Sequence, residues 1–463
     1  MISKDAGKKI VAVLSSIFRL VEMLFFMGSH LLLFLSLLLT LKLRIRRQRE
    51  TLNSLAGKSL ARLFESLGPT FIKFGQILSS RPDLLPPDMV AELSRLQDRI
   101  PPFGPRAVAS QIKEAFGKAI DEIFESFDLT PVSSASIAQV HRARLRNGLE
   151  VAVKVRRPGI VRKVENDLRL FSFTARMLGA LPFMRTVPLA DLVEEIGNPI
   201  HQQLDFKLEA QNNREFRRNF AEVEHIRIPA LIDDLCGEGA LTMEFLEDLS
   251  KVNSPRFTVE ERKVSALAGL RALYKMIFTD GFIHADMHPG NVFVRRWGEF
   301  VILDTGLVAQ LSPADREDFV NFFFGLVNNQ GKECARIIFD TASYRAARFN
   351  RAGFDEAMAK LIAKHSRLRS SEFEIARFVY ELIETQQRFG LRGSTKFMMT
   401  VISMVVFDGI CKQLYPDCDF QAEARGFLIY ARYNGKSARN STGLSIEPAS
   451  ILGGLGLQTE SGV

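Results

Sequence analysis

Cysteine is scarce: four occur in 463 residues, and none forms a CxxC pair or stands at a metal-type spacing from a histidine. This excludes a disulfide-framed secreted domain and a structural zinc site. Cys236, Cys334, Cys411 and Cys418 read as ordinary thiols of a reducing compartment. A strong charge of one sign is also missing, since 61 Lys and Arg face 53 Asp and Glu for a net +8. With no basic stretch interleaved with aromatics and no recognisable module, a nucleic-acid partner is set aside. There is no internal repeat. The outstanding apolar run is Met23 to Leu41, uncharged and interrupted only by His30. Its nineteen residues span most of a bilayer core at about 1.5 Å per residue, which predicts a transmembrane helix or deep anchor. An internal helix packed on the domain is the alternative. A signal peptide fits less well, because the run is long and no small-residue cleavage site follows.

Lys42, Arg44, Arg46, Arg47 and Arg49 follow this run, whereas Lys4, Lys8, Lys9 and Arg19 precede it, offset by Asp5 and Glu22. The bias favours a cytoplasmic C-terminal domain, and the basic cluster suits anionic headgroups.

The most informative stretch is His284-Ala-Asp286-Met-His288-Pro-Gly-Asn291, followed by Val301-Ile-Leu-Asp304-Thr-Gly306. An aspartate, an asparagine five residues on and a second aspartate after an apolar strand match a kinase phosphoryl-transfer site. Asp286 would act on the attacking hydroxyl, and Asn291 and Asp304 would hold Mg²⁺ beside ATP. A short hairpin between Asn291 and Asp304 would return the chain to the same metals.

Residues 51 to 127 read mostly as helices broken at Pro82, Pro86-Pro87 and Pro101-Pro102. Val140–Leu145 and Glu150–Arg156 read as strands joined at Asn147-Gly148, and further strands are expected at Arg227–Ile232 and Ala240–Leu246. Helices fill 160–221 and most of the chain beyond Val259. The fold class is therefore α+β: a bilobal protein-kinase-like fold with a helical N-terminal extension and an N-terminal membrane helix. The expected divisions are 1–50 (membrane segment and basic flank), 51–130 (helical extension), 131–246 (small lobe with inserted helices), 247–434 (helical lobe) and 435–463 (mobile tail).

Lys154, in Val-Ala-Val-Lys, resembles the kinase lysine that contacts phosphates; Glu209, fifty-five residues on, is its candidate carboxylate partner. The glycine-rich phosphate loop is absent. Aligned on Val140, its glycine positions hold Ser133, Ala135 and Ala138. A Cβ at those places disfavours positive φ and stiffens the loop. Backbone N–H groups and the hydroxyls of Ser133, Ser134 and Ser136 remain as donors. Met243 to Leu246 reads as the strand-to-linker segment, with the backbone of Glu244 and Leu246 placed to pair with adenine.

Together these features resemble the UbiB-type atypical kinases, also called the ADCK or aarF-domain family, over about residues 60 to 330. The K-x-G-Q signature appears as Lys73-Phe-Gly75-Gln76, the alanine-rich loop as Ala135-Ser-Ile-Ala138-Gln139-Val-His141, and H-x-D-x-H-P-G-N around Asp286 and Asn291. The resemblance implies that N-terminal helices fold over the nucleotide cleft, with Lys73 and Gln76 pointing into it. The family's E-x-D motif falls on Gln203-Leu204-Asp205, and glutamine there loses a charge that hard Mg²⁺ prefers. Asp304-Thr-Gly replaces Asp-Phe-Gly, and Leu307 to Asp315 is too short for a regulatory activation loop. The resemblance further implies an ATPase or small-molecule kinase at a membrane, such as the bacterial inner membrane. It would support ubiquinone biosynthesis with lipids, isoprenoid quinone precursors and enzymes of that process as partners. Two other readings stay open: a pseudokinase scaffold, and a protein kinase acting in trans.

Overall fold

The computed structural model describes residues 18–23, 25–30, 32–33, 36, 52–79, 81, 84–96, 100–179, 189–366 and 373–437. They form two compact units, one within 1–207 plus Ile232–Met243, the other within Leu208–Leu231 plus Glu244 onward.

In the first unit, helices α1 (Leu52–Leu67), α2 (Pro69–Ser79) and α3 (Pro87–Leu93) build the extension. Phe64, Phe71, Phe74 and Leu78 bury one face of α1 and α2. Phe74 meets Phe171 edge-on at 4.9 Å between ring centroids, a favoured aromatic geometry. Gly75 lets α2 approach: a Cβ there would lie 2.4 Å from Leu96 and 2.6 Å from Phe64. After α4 (Pro105–Phe116) and a single turn α5 (Ile120–Ile123) comes a six-stranded sheet in the order β1-β3-β4-β7-β6, with β2 on β3. The strands are β1 (Phe124–Phe127), β2 (Ser133–Ser134), β3 (Ala138–Leu145), β4 (Glu150–Arg156), β6 (Leu231–Cys236) and β7 (Ala240–Glu244), with β5 (Ile226–Arg227) lying elsewhere. The β3–β4 hairpin falls where Asn147-Gly148 predicted it. Gly148 takes a φ of +85°, and the Asn147 side chain accepts from the Leu149 N–H. On β4, Val151, Val153 and Val155 alternate inward and are fully buried.

Helices α6 (Ile160–Gly179), α7 (Leu189–Leu204) and α8 (Phe206–Asn219) supply the expected helical stretch. The strand expected at 227–232 is instead two. Pro229 cannot donate to a ladder, so the chain breaks there: Arg227 ends β5, which pairs in parallel with β10, and β6 starts at Leu231.

The second unit is mostly helical. Helix α9 (Val259–Tyr274), opened by a Thr258–Glu261 capping box, runs into a π-helical turn at Lys275–Asp280. Then come β8 (Phe282–His284), β9 (Val292–Val294), β10 (Phe300–Ile302) and β11 (Val308–Gln310). The remaining helices are α10 (Pro313–Val327), α11 (Gly331–Asp340), α12 (Arg351–Ser366), α13 (Ile375–Arg388), α14 (Thr395–Leu414) and α15 (Phe420–Ser437). Helix α15 runs through Ser437, past residue 435 where a tail was expected, and 438–463 lie outside the described residues.

The expected membrane run lies only partly within the described residues, and its basic flank at 42–49 lies wholly outside them. Phe18–Met23 and Phe25–His30 are helical. One face is docked: Met23 is buried with Phe64 and Leu67, Phe26 packs beside it, and His30 lies 3.1 Å from Ser66 Oγ. Arg19 donates to the buried Asp167 at 2.7 Å and to the Leu67 carbonyl at 2.6 Å. The other face leaves Phe18, Val21, Phe25 and Leu32 exposed. Among the described helices one is long and apolar enough to cross a membrane, α14, and two-thirds of its apolar window is buried. It is the core helix of the second unit, not the run near the N-terminus.

Candidate active site

The predicted residues divide between the units. Ser133, Ala135, Ser136, Ala138, Lys154, Lys73, Gln76, Gln203 and Asp205 belong to the first; Glu209, Glu244, Leu246, Asp286, Asn291 and Asp304 belong to the second.

In the second unit the catalytic loop leaves β8, which pairs antiparallel with β11 so that His284 faces Val308. The loop is tight: the His288 N–H donates to Asp286 O and the Asn291 N–H to His288 O, both at 2.9 Å. Asn291 Nδ2 donates to Asp286 O at 2.9 Å and reaches Asp286 Oδ2 at 3.4 Å. The β9–β10 hairpin brings the chain back, pairing Val292 with Ile302, and the Leu303 N–H donates to Asn291 O at 3.0 Å. Asp304 Oδ1 then accepts from the Gly306 N–H at 2.9 Å. The three residues thus occupy one hydrogen-bonded loop and hairpin, as the spacing predicted.

His284 joins the two aspartates. It is fully buried; its Nδ1 accepts from the Asp286 N–H at 3.2 Å, and its Nε2 contacts the Asp304 carbonyl oxygen. A ring nitrogen that accepts must be unprotonated, so Nε2 carries the hydrogen and donates. Burial holds the imidazole below its usual range, against the opposing pull of the Asp304 carbonyl and the two carboxylates. A neutral ring with one donor and one acceptor is the species this arrangement requires.

The threonine of Asp304-Thr-Gly has a structural partner. Thr305 is buried; its hydroxyl donates to Glu209 O at 3.2 Å, and its carbonyl accepts from Asn212 Nδ2 at 3.0 Å. Helix α8 is thereby tied to the Asp304-Thr-Gly turn through hydrogen bonds in place of the aromatic plug that Asp-Phe-Gly would supply. Phe216 on the same helix packs against Phe282 and His284. After Gly306 the chain passes through β11 directly into the Ser312 cap of α10, so no activation loop intervenes. His284, Thr305 and Asn212 were not predicted as site residues. The only local sign of them was the adjacency of the first two to the motif aspartates.

At the strand-to-linker segment, the Glu244 N–H is spent on Ala230 O at 2.7 Å, and the Glu244 carboxylate pairs with Arg227. The Glu244 N–H, one of the groups expected to meet adenine, is thus already committed within the protein. Leu246 is buried.

In the first unit, Lys154 sits opposite Val140 on the β3–β4 ladder with its ammonium 5.2 Å from the Phe206 ring centroid. The alanine-rich loop is a narrow hairpin: the Ala135 N–H donates to Ala138 O at 2.8 Å. Arg157 donates to the Ala135 carbonyl at 3.0 Å, and Ser134 Oγ donates to Ile100 O at 2.9 Å. Ser133 is exposed and Ser136 buried. Gln139 and His141 are also buried. Gln139 brackets the Phe103 backbone and lies 2.9 Å from His141 Nε2, while His141 Nδ1 meets Asp128 O at 2.8 Å. Lys73 and Gln76 lie on α2, with Gln76 Nε2 donating to Leu96 O at 3.3 Å. Gln203 is buried near the end of α7; Asp205 is exposed and accepts from the Lys207 N–H at 3.0 Å, opening α8.

No three His, Cys, Asp or Glu side chains among the described residues cluster as a metal cage. The kinase arrangement does not need one, because Mg²⁺ commonly takes one or two protein oxygens plus phosphates and water. The donor set fits that demand. The Nδ2 of Asn291 is bound to Asp286, and its Oδ1 has no protein partner among the described residues.

The ABC1 atypical kinase-like domain matches residues 95–338, more than half of the chain. The chain belongs to this family. The match includes Lys154, Gln203, Glu209, Asp286, Asn291 and Asp304; Lys73 and Gln76 lie upstream of it. Among similar curated proteins, the probable protein kinase UbiB of Pseudomonas putida is 32% identical over 409 residues, covering 86% of this chain and 76% of that protein. The probable protein kinase UbiB of Aeromonas hydrophila is 33% identical over 408 residues, covering 86% and 74%. Among solved structures, the complex of Rv3197 with erythromycin from Mycobacterium tuberculosis aligns with a TM-score of 0.51 at 21% identity, covering 76% of this chain and 90% of that one. That likeness concerns the fold. This ABC1-family chain is thus a UbiB-type member with a kinase-like α+β fold.

Proposed function

We propose that the chain binds Mg-ATP and turns it over as a UbiB-type atypical kinase or ATPase. The observation that carries this reading is the buried His284, which joins the backbone of Asp286 to that of Asp304 while Asn291 closes the same loop. Mg-ATP, when bound, supplies the transferable phosphoryl group and the positive charge that offsets its oxygens. Asn291 Oδ1 and the Asp304 carboxylate would hold the Mg²⁺ that accompanies the nucleotide. Asp286 orients the attacking hydroxyl or water and accepts its proton. The roles that the resemblance implies for Lys154 and Glu209 are a phosphate contact and its carboxylate partner. Ser133, Ala135, Ser136 and Ala138 border the phosphates, and the Glu244 carbonyl and Leu246 N–H receive adenine. Lys73, Gln76, Gln203 and Asp205 regulate access to the nucleotide.

The same reading places the activity at a membrane, with the catalytic domain cytoplasmic and the Met23–Leu41 run as anchor. The exposed row Phe18, Val21, Phe25 and Leu32 supports it, because such a row seeks an apolar environment. Lipids or isoprenoid quinone precursors are the proposed clients, in support of ubiquinone biosynthesis and alongside its enzymes; the resemblance and the relatives' names support this.

The test is ATP hydrolysis by the purified full chain, with and without detergent or lipid, beside a thermal shift with Mg-ATP. Asp286→Asn should remove turnover while keeping the nucleotide-induced shift, and Asp304→Asn should remove both. An unchanged shift in Asp304→Asn would overturn the metal assignment. Rescue of a ubiquinone-deficient strain by Asp286→Asn would replace catalysis with a scaffold role.

A further inference from the structure

Tryptophan occurs once in the chain, at position 297, and it is 82% exposed. It stands at the tip of the β9–β10 hairpin, in Arg295-Arg296-Trp297-Gly298-Glu299. Its φ is +67°, a left-handed backbone that a bulky side chain rarely adopts. The tip is nevertheless fixed. The Arg295 N–H donates to Glu299 O at 2.9 Å, and the Arg295 guanidinium pairs with the Glu299 carboxylate at 2.7 Å. Glu261 Oε1, in the first turn of α9, accepts from the Trp297 N–H at 3.2 Å. Gly298 is seated against the same helix: a Cβ there would lie 2.8 Å from the Glu261 carbonyl oxygen and 2.9 Å from Val264 Cβ. A strained residue, clamped by its neighbours with its ring left exposed, points to a contact made outside the chain.

The surrounding charges decide which partner fits. Residues 247–263 and 295–299 carry six Lys and Arg and five Asp and Glu, so the surface has no dominant sign. A polyanion or an anionic bilayer selects for excess positive charge; a patch of mixed sign suits another of its own kind. Arg256 is paired with Asp248, and Arg295 with Glu299. Arg296 and Glu260 are exposed and have no hydrogen bond or ion pair among the described residues. Each stands beside an exposed apolar side chain, Arg296 beside Trp297 and Glu260 beside Val259, which is 79% exposed. Val259 and Glu260 open the helix whose Glu261 holds the tip. One small surface thus carries a cationic aromatic knob and an anionic apolar seat. In a two-fold contact residue i of one copy meets j of the other, and j meets i. A surface with both halves is complementary to itself.

We propose that the β9–β10 tip and the start of α9 form a self-association surface whose occupant is a second copy of this chain. Trp297 of one copy packs on Val259 of the other, Arg296 pairs with Glu260 of the other, and the reciprocal contacts form across the two-fold axis. Tryptophan and arginine are among the side chains that carry most of the binding energy at an interface centre. A tip that is already fixed gives up little freedom on docking.

Because Trp297 is the sole indole of the chain, its emission reads this surface without a label. The full chain in detergent is followed by tryptophan fluorescence, acrylamide quenching and analytical ultracentrifugation over a dilution series. The expected result is a blue shift and weaker quenching as concentration rises, in step with a doubling of the protein mass of the sedimenting species. Arg296→Glu alone and Glu260→Arg alone each set like charges against each other twice, and each should weaken association by at least about tenfold. Mixing these two variants restores opposite charges at both contacts and should restore the dimer. A chain that stays monomeric with unshifted emission throughout the series would overturn the proposal, and that reading needs no variant. So would a dimer indifferent to both charge reversals, or emission that follows added phosphatidylglycerol vesicles while the chain stays monomeric.

Discussion

The catalytic loop of the second unit and the α2 helix of the first are held by different physics. Around Asp286 and Asp304, buried polar side chains bond to backbone: His284 to both aspartates, Thr305 to Glu209, Asn212 to Thr305. Around Lys73 and Gln76, α2 is fixed by Phe64, Phe71 and Phe74 and by the missing Cβ of Gly75. Hydrogen bonds set direction and position together and leave a costly orphan when broken. Apolar contact sets distance and tolerates rotation. A turn that must aim two acidic side chains needs the first, and a helix packed on aromatic rings can be served by the second.

The comparison can be broken most forcefully at His284. His284→Phe keeps the ring but orphans the Asp286 N–H and the Asp304 carbonyl, at roughly 2–4 kcal/mol for two buried groups. ATP turnover should fall more than the melting temperature does; a variant with parental turnover would remove the lock from the mechanism. Gly75→Ala should destabilise by about 1–3 kcal/mol through overpacking, because Phe64 and Leu96 are themselves buried. Denaturant unfolding measures it, and a neutral result would show that α2 can shift outward. Thr305→Val removes one hydrogen bond and keeps the shape, at about 1 kcal/mol; Mg-ATP affinity should drop if the tie between α8 and the turn matters, and hold if it only fills space.

The smallest effect is expected far from the site. Burial opposes ionisation of Glu381, yet hydrogen bonds from Lys364, His365 and Arg377 bring its carboxyl down to about 2. A depressed folded value means the stability it contributes is present above the unfolded value, about 4.3, and is lost as pH falls toward 2. Glu381→Gln should flatten the melting profile over that interval, and an unchanged profile would deny the cluster a role in tying α12 to α13.

The motif aspartates, Asn291, the β3–β4 hairpin and the Val-Ala-Val-Lys strand were legible because each rests on local spacing or turn chemistry. The locks were not. Asn212 and Thr305 stand 93 residues apart, and no periodicity records such a pairing. Strand β1, Phe-Glu-Ser-Phe, is too short to show alternation and was absorbed into a helical stretch. The apolar content of α14 stands out less in the sequence than the denser run near the N-terminus. Asp408 on α14, paired with Lys412, interrupts it.

His284 grips the main chain of the two acidic residues and leaves their side chains to other work. Removing either carboxylate keeps that backbone grip and loses only what the side chains add, the bonds from Gly306 to Asp304 Oδ1 and from Asn291 to Asp286 Oδ2. Silent versions of this protein would be cheap to make, both in the laboratory as substrate traps and along a lineage in which a duplicated copy drifts toward binding without turnover.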